Sequence, residues 1–117
     1  MKDKIKVMVY GSLKRGFGNH SYHLGNSEYL GKVETLPQYT MFSLGGFPGV
    51  IPNGKTSIQG ELYNVTEREL RTLDRLEGNG SFYTREVIET SEGEAWIYLL
   101  PEDKYNHYEA IEDGVWV

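Results

Sequence analysis

Two short segments carry residue types that can do chemistry. The first, Val9-Tyr10-Gly11-Ser12-Leu13-Lys14-Arg15-Gly16, is an apolar strand that runs into a glycine turn. Such a turn exposes consecutive backbone N–H groups, which can hold an anion or a developing oxyanion. The second, Leu73-Asp74-Arg75-Leu76-Glu77-Gly78 with Phe82-Tyr83-Thr84-Arg85 after it, puts a carboxyl group at the tail of an expected helix. The partial negative charge at a helix C-terminus disfavours a carboxylate relative to its protonated form, and partial burial acts in the same direction. A glutamate serving helix stability alone belongs in the first turn. Glu77 is therefore the candidate general acid/base, with a pKa raised toward the range useful for proton transfer.

Other motifs resolve to structure. Gly49-Val50-Ile51-Pro52-Asn53-Gly54-Lys55-Thr56 matches a phosphate-binding loop letter for letter. That loop needs a helix after it, whereas Ser57-Ile58-Gln59-Gly60-Glu61-Leu62 reads as a strand, and Pro52 removes a backbone donor. A hairpin turn at Asn53-Gly54 is expected instead. His20 and His23 stand at i and i+3 but no second cluster completes a coordination shell, so no metal is expected. Phe82, Tyr83, Trp96 and Tyr98 could stack nucleobases, yet packing across adjacent strands suits an acidic protein better. The basic pair Lys14-Arg15 could receive a substrate carboxylate or could simply be solvated surface.

The elements that must position these groups are mostly strands. Fourteen glycines and nine tyrosines point to tight turns and aromatic-lined strands. Alternation predicts a first strand from Lys4 to Tyr10, with Ile5, Val7 and Val9 on one face, then a short helical turn from His20 to Leu24. Further strands are expected over 28–36, 39–43, 57–65, 82–90 and 94–100, with a loop from Leu44 to Gly54 and an irregular tail from Tyr105 to Val117. In that tail, Ile111, Val115 and Trp116 can pack back on the core. The one strong helix spans Glu67 to Glu77. Thr66 and Glu69 form its capping box, Leu70, Leu73 and Leu76 its core stripe, and Gly78 its stop. The expected fold is α+β: a small mixed β-barrel or strongly curved sheet with one main helix.

Composition narrows the classes. Twelve Lys plus Arg against 17 Asp plus Glu leave a net charge of −5, which argues against nucleic-acid binding. With no cysteine, thiolate nucleophiles and disulfides are excluded. A chain of 117 residues fits a single domain over 1–117 that buries roughly 65% of its unfolded surface. Apolar runs are far too short to span a bilayer, and the Met1-Lys2-Asp3-Lys4 start is too short for a signal peptide. A cytoplasmic monomer is expected.

Read together, the two segments resemble the gamma-glutamylcyclotransferase-like superfamily, and most closely its gamma-glutamylamine cyclotransferase (AIG2-like) branch. The resemblance is carried by Tyr10 to Gly16 with Asn19-His20, by Leu73 to Gly78 with Tyr83 and Arg85, by Ala95-Trp96-Ile97-Tyr98, and by the Ile111…Gly114…Trp116 ending. It implies a pocket in which the Tyr10-Gly11-Ser12-Leu13 loop binds a gamma-glutamyl group and Glu77 is the catalytic acid/base. It implies no cofactor and a small-molecule partner, with 5-oxoproline and a free amine as products. The loop amides would hold either the oxyanion or the substrate α-carboxylate. Tyr10, Tyr83 and Tyr98 can line the pocket or pack in the core, and Tyr105 could close the pocket from the tail. The alternative is a binding module that uses the same pocket for a small ligand without chemistry.

Overall fold

The computed structural model describes residues 4–11, 13–14, 24, 27–101 and 108–116. Of the expected turn over His20 to Leu24, only Leu24 falls among them, and it is buried.

Strand β1 (Ile5–Val9) sits at the centre of the larger sheet. It pairs antiparallel with β5 (Gln59–Val65), from Ile5↔Val65 to Val9↔Glu61, and parallel with β7 (Gly93–Leu99) at Val7↔Trp96. Its expected alternation stops at Met8, which is as buried as Val7 and Val9. Val7 and Val9 enter one apolar cluster and Met8 the other, because both faces of this central strand are covered. Strands β2 (Glu28–Glu34) and β6 (Thr84–Thr90) extend the sheet on either side, in the order β2-β5-β1-β7-β6. The sheet curls until those two edges meet at one end. Thr35 bridges Thr90, and the Ser91 N–H donates to the Glu34 carbonyl at 2.9 Å. The fold is α+β with a strongly curved mixed sheet, and the described strands do not close into a barrel.

A second sheet has the order β4-β3-β8. Strand β3 (Tyr39–Ser43) was expected, but its neighbour β4 (Pro48–Thr56) replaces most of the expected Leu44–Gly54 loop. The glycines and prolines there read as a loop because their reason for being is tertiary. A Cβ on Gly49 would collide with the Leu100 side chain, so glycine is what lets β4 lie against the exit of β7. The Leu100 N–H then donates to the Val50 carbonyl at 2.8 Å. The hairpin turn is likewise not at Asn53-Gly54. It lies at Leu44–Phe47, closed by Leu44 N–H to Phe47 carbonyl at 2.9 Å. Residues 52–55 form a bulge between the pairs Thr40↔Ile51 and Tyr39↔Thr56. The next element after Thr56 is strand β5 and not a helix, so the phosphate-loop match has no phosphate-loop geometry. The tail is not wholly irregular either: β8 (Glu109–Ala110) pairs with β3 at Phe42↔Ala110 and Ser43↔Glu109. Ile111 and Trp116 pack against the second cluster as expected.

Helix α1 (Glu67–Glu77) has the expected bounds and caps. Glu69 N–H donates to Thr66 Oγ1 at 3.1 Å and Thr66 N–H to Glu69 Oε1 at 2.8 Å, a pairing worth about 1 kcal/mol. Gly78 adopts the left-handed conformation (φ 62°, ψ 46°) that stops the helix. Leu70 and Leu73 are buried, but Leu76 is 39% exposed and does not join the core stripe. Steps of three residues fall short of a full turn, so by the third leucine the stripe has rotated off the sheet. Among the described residues no helix is long and apolar enough to cross a membrane.

Candidate active site

The last turn of α1, the end of β1 and the Leu44–Phe47 turn enclose a cavity of about 570 Å³, within the range of small-ligand sites. Its wall brings together Tyr10, Gly11, Leu13, Glu77, Tyr83 and Tyr98, six of the residues singled out from the sequence. Ser12 and Tyr105, also singled out, lie outside the described residues, as do Arg15, His20 and His23. Phe47, Pro48, Arg75, Leu76 and Phe82 also stand on the wall and were not among the candidate site residues.

The three tyrosines both build the core and line the cavity, so the two readings of them were not exclusive. Tyr10 donates its hydroxyl to the Tyr98 carbonyl at 2.7 Å, and Tyr83 donates to the Pro48 carbonyl at 2.6 Å. Tyr98 donates to Asp74 Oδ1 at 2.7 Å. Burial pushes the Tyr10 hydroxyl well above its ordinary pKa, helped by the nearby Tyr83 and Glu77. Burial also raises Tyr98, and Asp74 adds to the effect by accepting its proton in a hydrogen bond. Both hydroxyls stay protonated at neutral pH and act as fixed donors.

Asp74, which stood in the second segment without an assigned role, anchors the end of α1. Arg85 grips it through two bonds, Nε to Oδ1 at 2.8 Å and Nη2 to Oδ2 at 3.1 Å. The same guanidinium lies 4.3 Å from the centre of the Trp96 ring, and the Arg85 N–H donates to Asn79 Oδ1 at 2.8 Å. The end of α1 is thereby fastened to β6 and β7 at once. An acid and an arginine flanking a helix stop were a visible signal, but only the fold shows that they face each other.

Glu77 is partly buried on the cavity wall, and its pKa is raised from 4.5 to about 7. Burial is the cause: removing water from around the carboxylate disfavours its charged form. A carboxyl group poised there can take and return a proton near neutral pH. Lys14 is neither solvated nor on the cavity wall. It is buried, donates Nζ to the Trp116 carbonyl at 2.6 Å, and has its pKa lowered by that burial against a smaller opposing effect of Glu61. Among the described residues no three acidic or histidine side chains gather as a metal site.

The family model for gamma-glutamyl cyclotransferase, AIG2-like, matches residues 7–117. The chain belongs to that family. It is 44% identical over 110 residues to a Vibrio cholerae protein provisionally named as a gamma-glutamylcyclotransferase, covering 94% of this chain and 93% of that one. The solution structure of YtfP from Escherichia coli, a gamma-glutamylcyclotransferase family protein, superposes with a TM-score of 0.76 at 32% identity, covering 97% of this chain and 96% of that one. A mouse AIG2-like protein superposes with a TM-score of 0.83 at 22% identity, covering 97% and 88%, and so shares the fold. Within this AIG2-like fold, Gly11, Glu77 and Tyr98, from three of the segments that carry the resemblance, line one cavity, whereas Ile111 and Trp116 pack against the second apolar cluster and are not on its wall.

Proposed function

We propose that this protein is a cofactor-independent gamma-glutamyl(amine) cyclotransferase, acting as one domain on a free small molecule. Glu77 carries the reading: a carboxyl group of pKa about 7 shares a wall with the bend that ends β1. In its ionised form Glu77 takes a proton from the substrate's α-ammonium group. The freed amine attacks its own γ-carbonyl carbon, forming the new C–N bond of a five-membered ring. Attack within one molecule gains from effective concentration when the cavity folds the substrate into a near-attack shape. Collapse of the intermediate breaks the old C–N bond while Glu77 passes the proton to the departing nitrogen. The second proton lost by the ring nitrogen follows the same way. The products are 5-oxoproline and an amine that leaves as its ammonium ion, with Glu77 again ionised. Backbone amides near Gly11 and Leu13 are the proposed donors to the substrate's oxyanion or α-carboxylate.

The test is incubation with a panel of gamma-glutamyl amines, following 5-oxoproline by mass spectrometry. Product from at least one of them is expected. A ligand that binds without turnover would move the reading to a non-catalytic binding module.

The acid limb of the pH profile is a second expected outcome. Because the base form of Glu77 starts the reaction, kcat/KM should rise about tenfold per pH unit below pH 7 and level off above it. A limb centred near pH 4.5 would mean that the titrating group is an ordinary, solvated carboxylate.

A further inference from the structure

Seven large apolar side chains are exposed among the described residues, and three of them, Phe47, Leu76 and Phe82, stand on the wall of this one cavity. They are 41%, 39% and 36% exposed, whereas Tyr10, Tyr83 and Tyr98 are each under 10% exposed, so the three mark its mouth. Phe47 and Phe82 meet edge to face with ring centres 6.0 Å apart, and Phe82 meets Tyr83 at 4.8 Å, so an aromatic surface runs unbroken from interior to opening. Clustered exposed apolar groups mark a binding surface, where scattered ones do not. Arg75 stands on the same wall, exposed. Among the described residues its guanidinium has no carboxylate partner, only a 3.4 Å contact to Thr72 Oγ1.

We infer that the mouth of the cavity is a subsite for a large apolar amino acid as the departing amine, so that the preferred substrate is a gamma-glutamyl dipeptide with such a second residue. This rests on the cyclotransferase reading above. The γ-glutamyl half must lie inward, where its α-nitrogen can reach Glu77, so the half that departs points to the opening. There the side chain of a phenylalanine- or leucine-like residue meets Phe47, Leu76 and Phe82. Its carboxylate meets Arg75, the sort of fork that pairs with a carboxylate. A departing amine with a second positive charge finds no such partner, since Glu77 is the only acid on the described wall.

The experiment compares kcat/KM, by 5-oxoproline release, for γ-glutamyl-phenylalanine, γ-glutamyl-glycine, γ-glutamyl-phenethylamine and Nε-γ-glutamyl-lysine. The phenylalanine peptide should exceed the glycine peptide by about tenfold or more, and the carboxylate-free phenethylamide by about two- to fivefold, the range for an exposed ion pair. Phe82→Ala should shrink the first ratio and Arg75→Gln the second. Ratios near one, ratios that ignore both substitutions, or faster turnover of the lysine compound would overturn the inference. Calorimetric binding of the same peptides to Glu77→Gln reads the subsite without chemistry. Selective binding with no turnover of any peptide by the unaltered protein would overturn the cyclotransferase reading and keep the subsite, and unselective binding would remove the subsite.

Discussion

Replacing Glu77 with Gln should lower turnover of a gamma-glutamyl substrate by about 10² or more while leaving the fold intact, the usual size of an acid–base contribution. Gln keeps the shape and the polar end of the side chain and loses only the titrating proton. The same change should stabilise the protein above neutral pH. The folded-state pKa of about 7 lies above the ordinary 4.5, so between those values the folded chain binds more protons than the unfolded one. Stability therefore falls as pH rises from about 4.5 to about 7 and stays low above that. At pH 8 the unaltered protein carries nearly the whole cost, on the order of 3 kcal/mol, and Glu77→Gln removes it. Thermal melts should show the variant several degrees higher at pH 8 and level with the unaltered protein near pH 4. Loss of activity with no pH-dependent gain in melting temperature would mean that Glu77 is an ordinary polar contact. Full activity in the variant would remove Glu77 from the mechanism.

Leu73→Ala should be the most damaging single truncation in the helix. Leu73 is fully buried in the cluster that also holds Val7, Val65, Leu70 and Tyr83. Leu70 and Leu73 are the only residues of α1 that are buried, so they seat the helix whose tail bears Glu77. Removing one of them costs about 2–5 kcal/mol, through lost burial and the cavity left behind. For a chain of this size that lowers the melting temperature by roughly 10 °C or more. At a temperature where the variant remains folded, turnover should fall about tenfold or more, because a small displacement of a reacting group is costly. Leu76→Ala, three residues on at the cavity mouth, should leave the melting temperature nearly unchanged. Equal effects at the two positions would show that the helix is not held as described.

The helix, its caps and its catalytic candidate were legible in the chain because they depend on neighbours in sequence. A threonine three residues before a glutamate, leucines at helical spacing and a glycine stop are local signals, and each side chain meets its partner within one or two turns. The same holds for the strands whose apolar residues alternate, and for the glycine bend after the first of them. What sequence could not decide was anything fixed by contact between distant segments. Strand β4 hides behind glycine and proline because Gly49 makes room for Leu100, 51 positions later. Lys14 reads locally as a solvated cation or a receiver of a substrate carboxylate, yet its Nζ donates to the Trp116 carbonyl at the far end of the chain. Asp74 and Arg85 form their clasp only when β6 returns past the helix end. That carboxyl group and that bend were visible one at a time. Their placement on a single wall, with water thinned enough to lift Glu77 to a neutral pKa, belongs to the tertiary structure, because burial is a property of the whole packing and not of any segment.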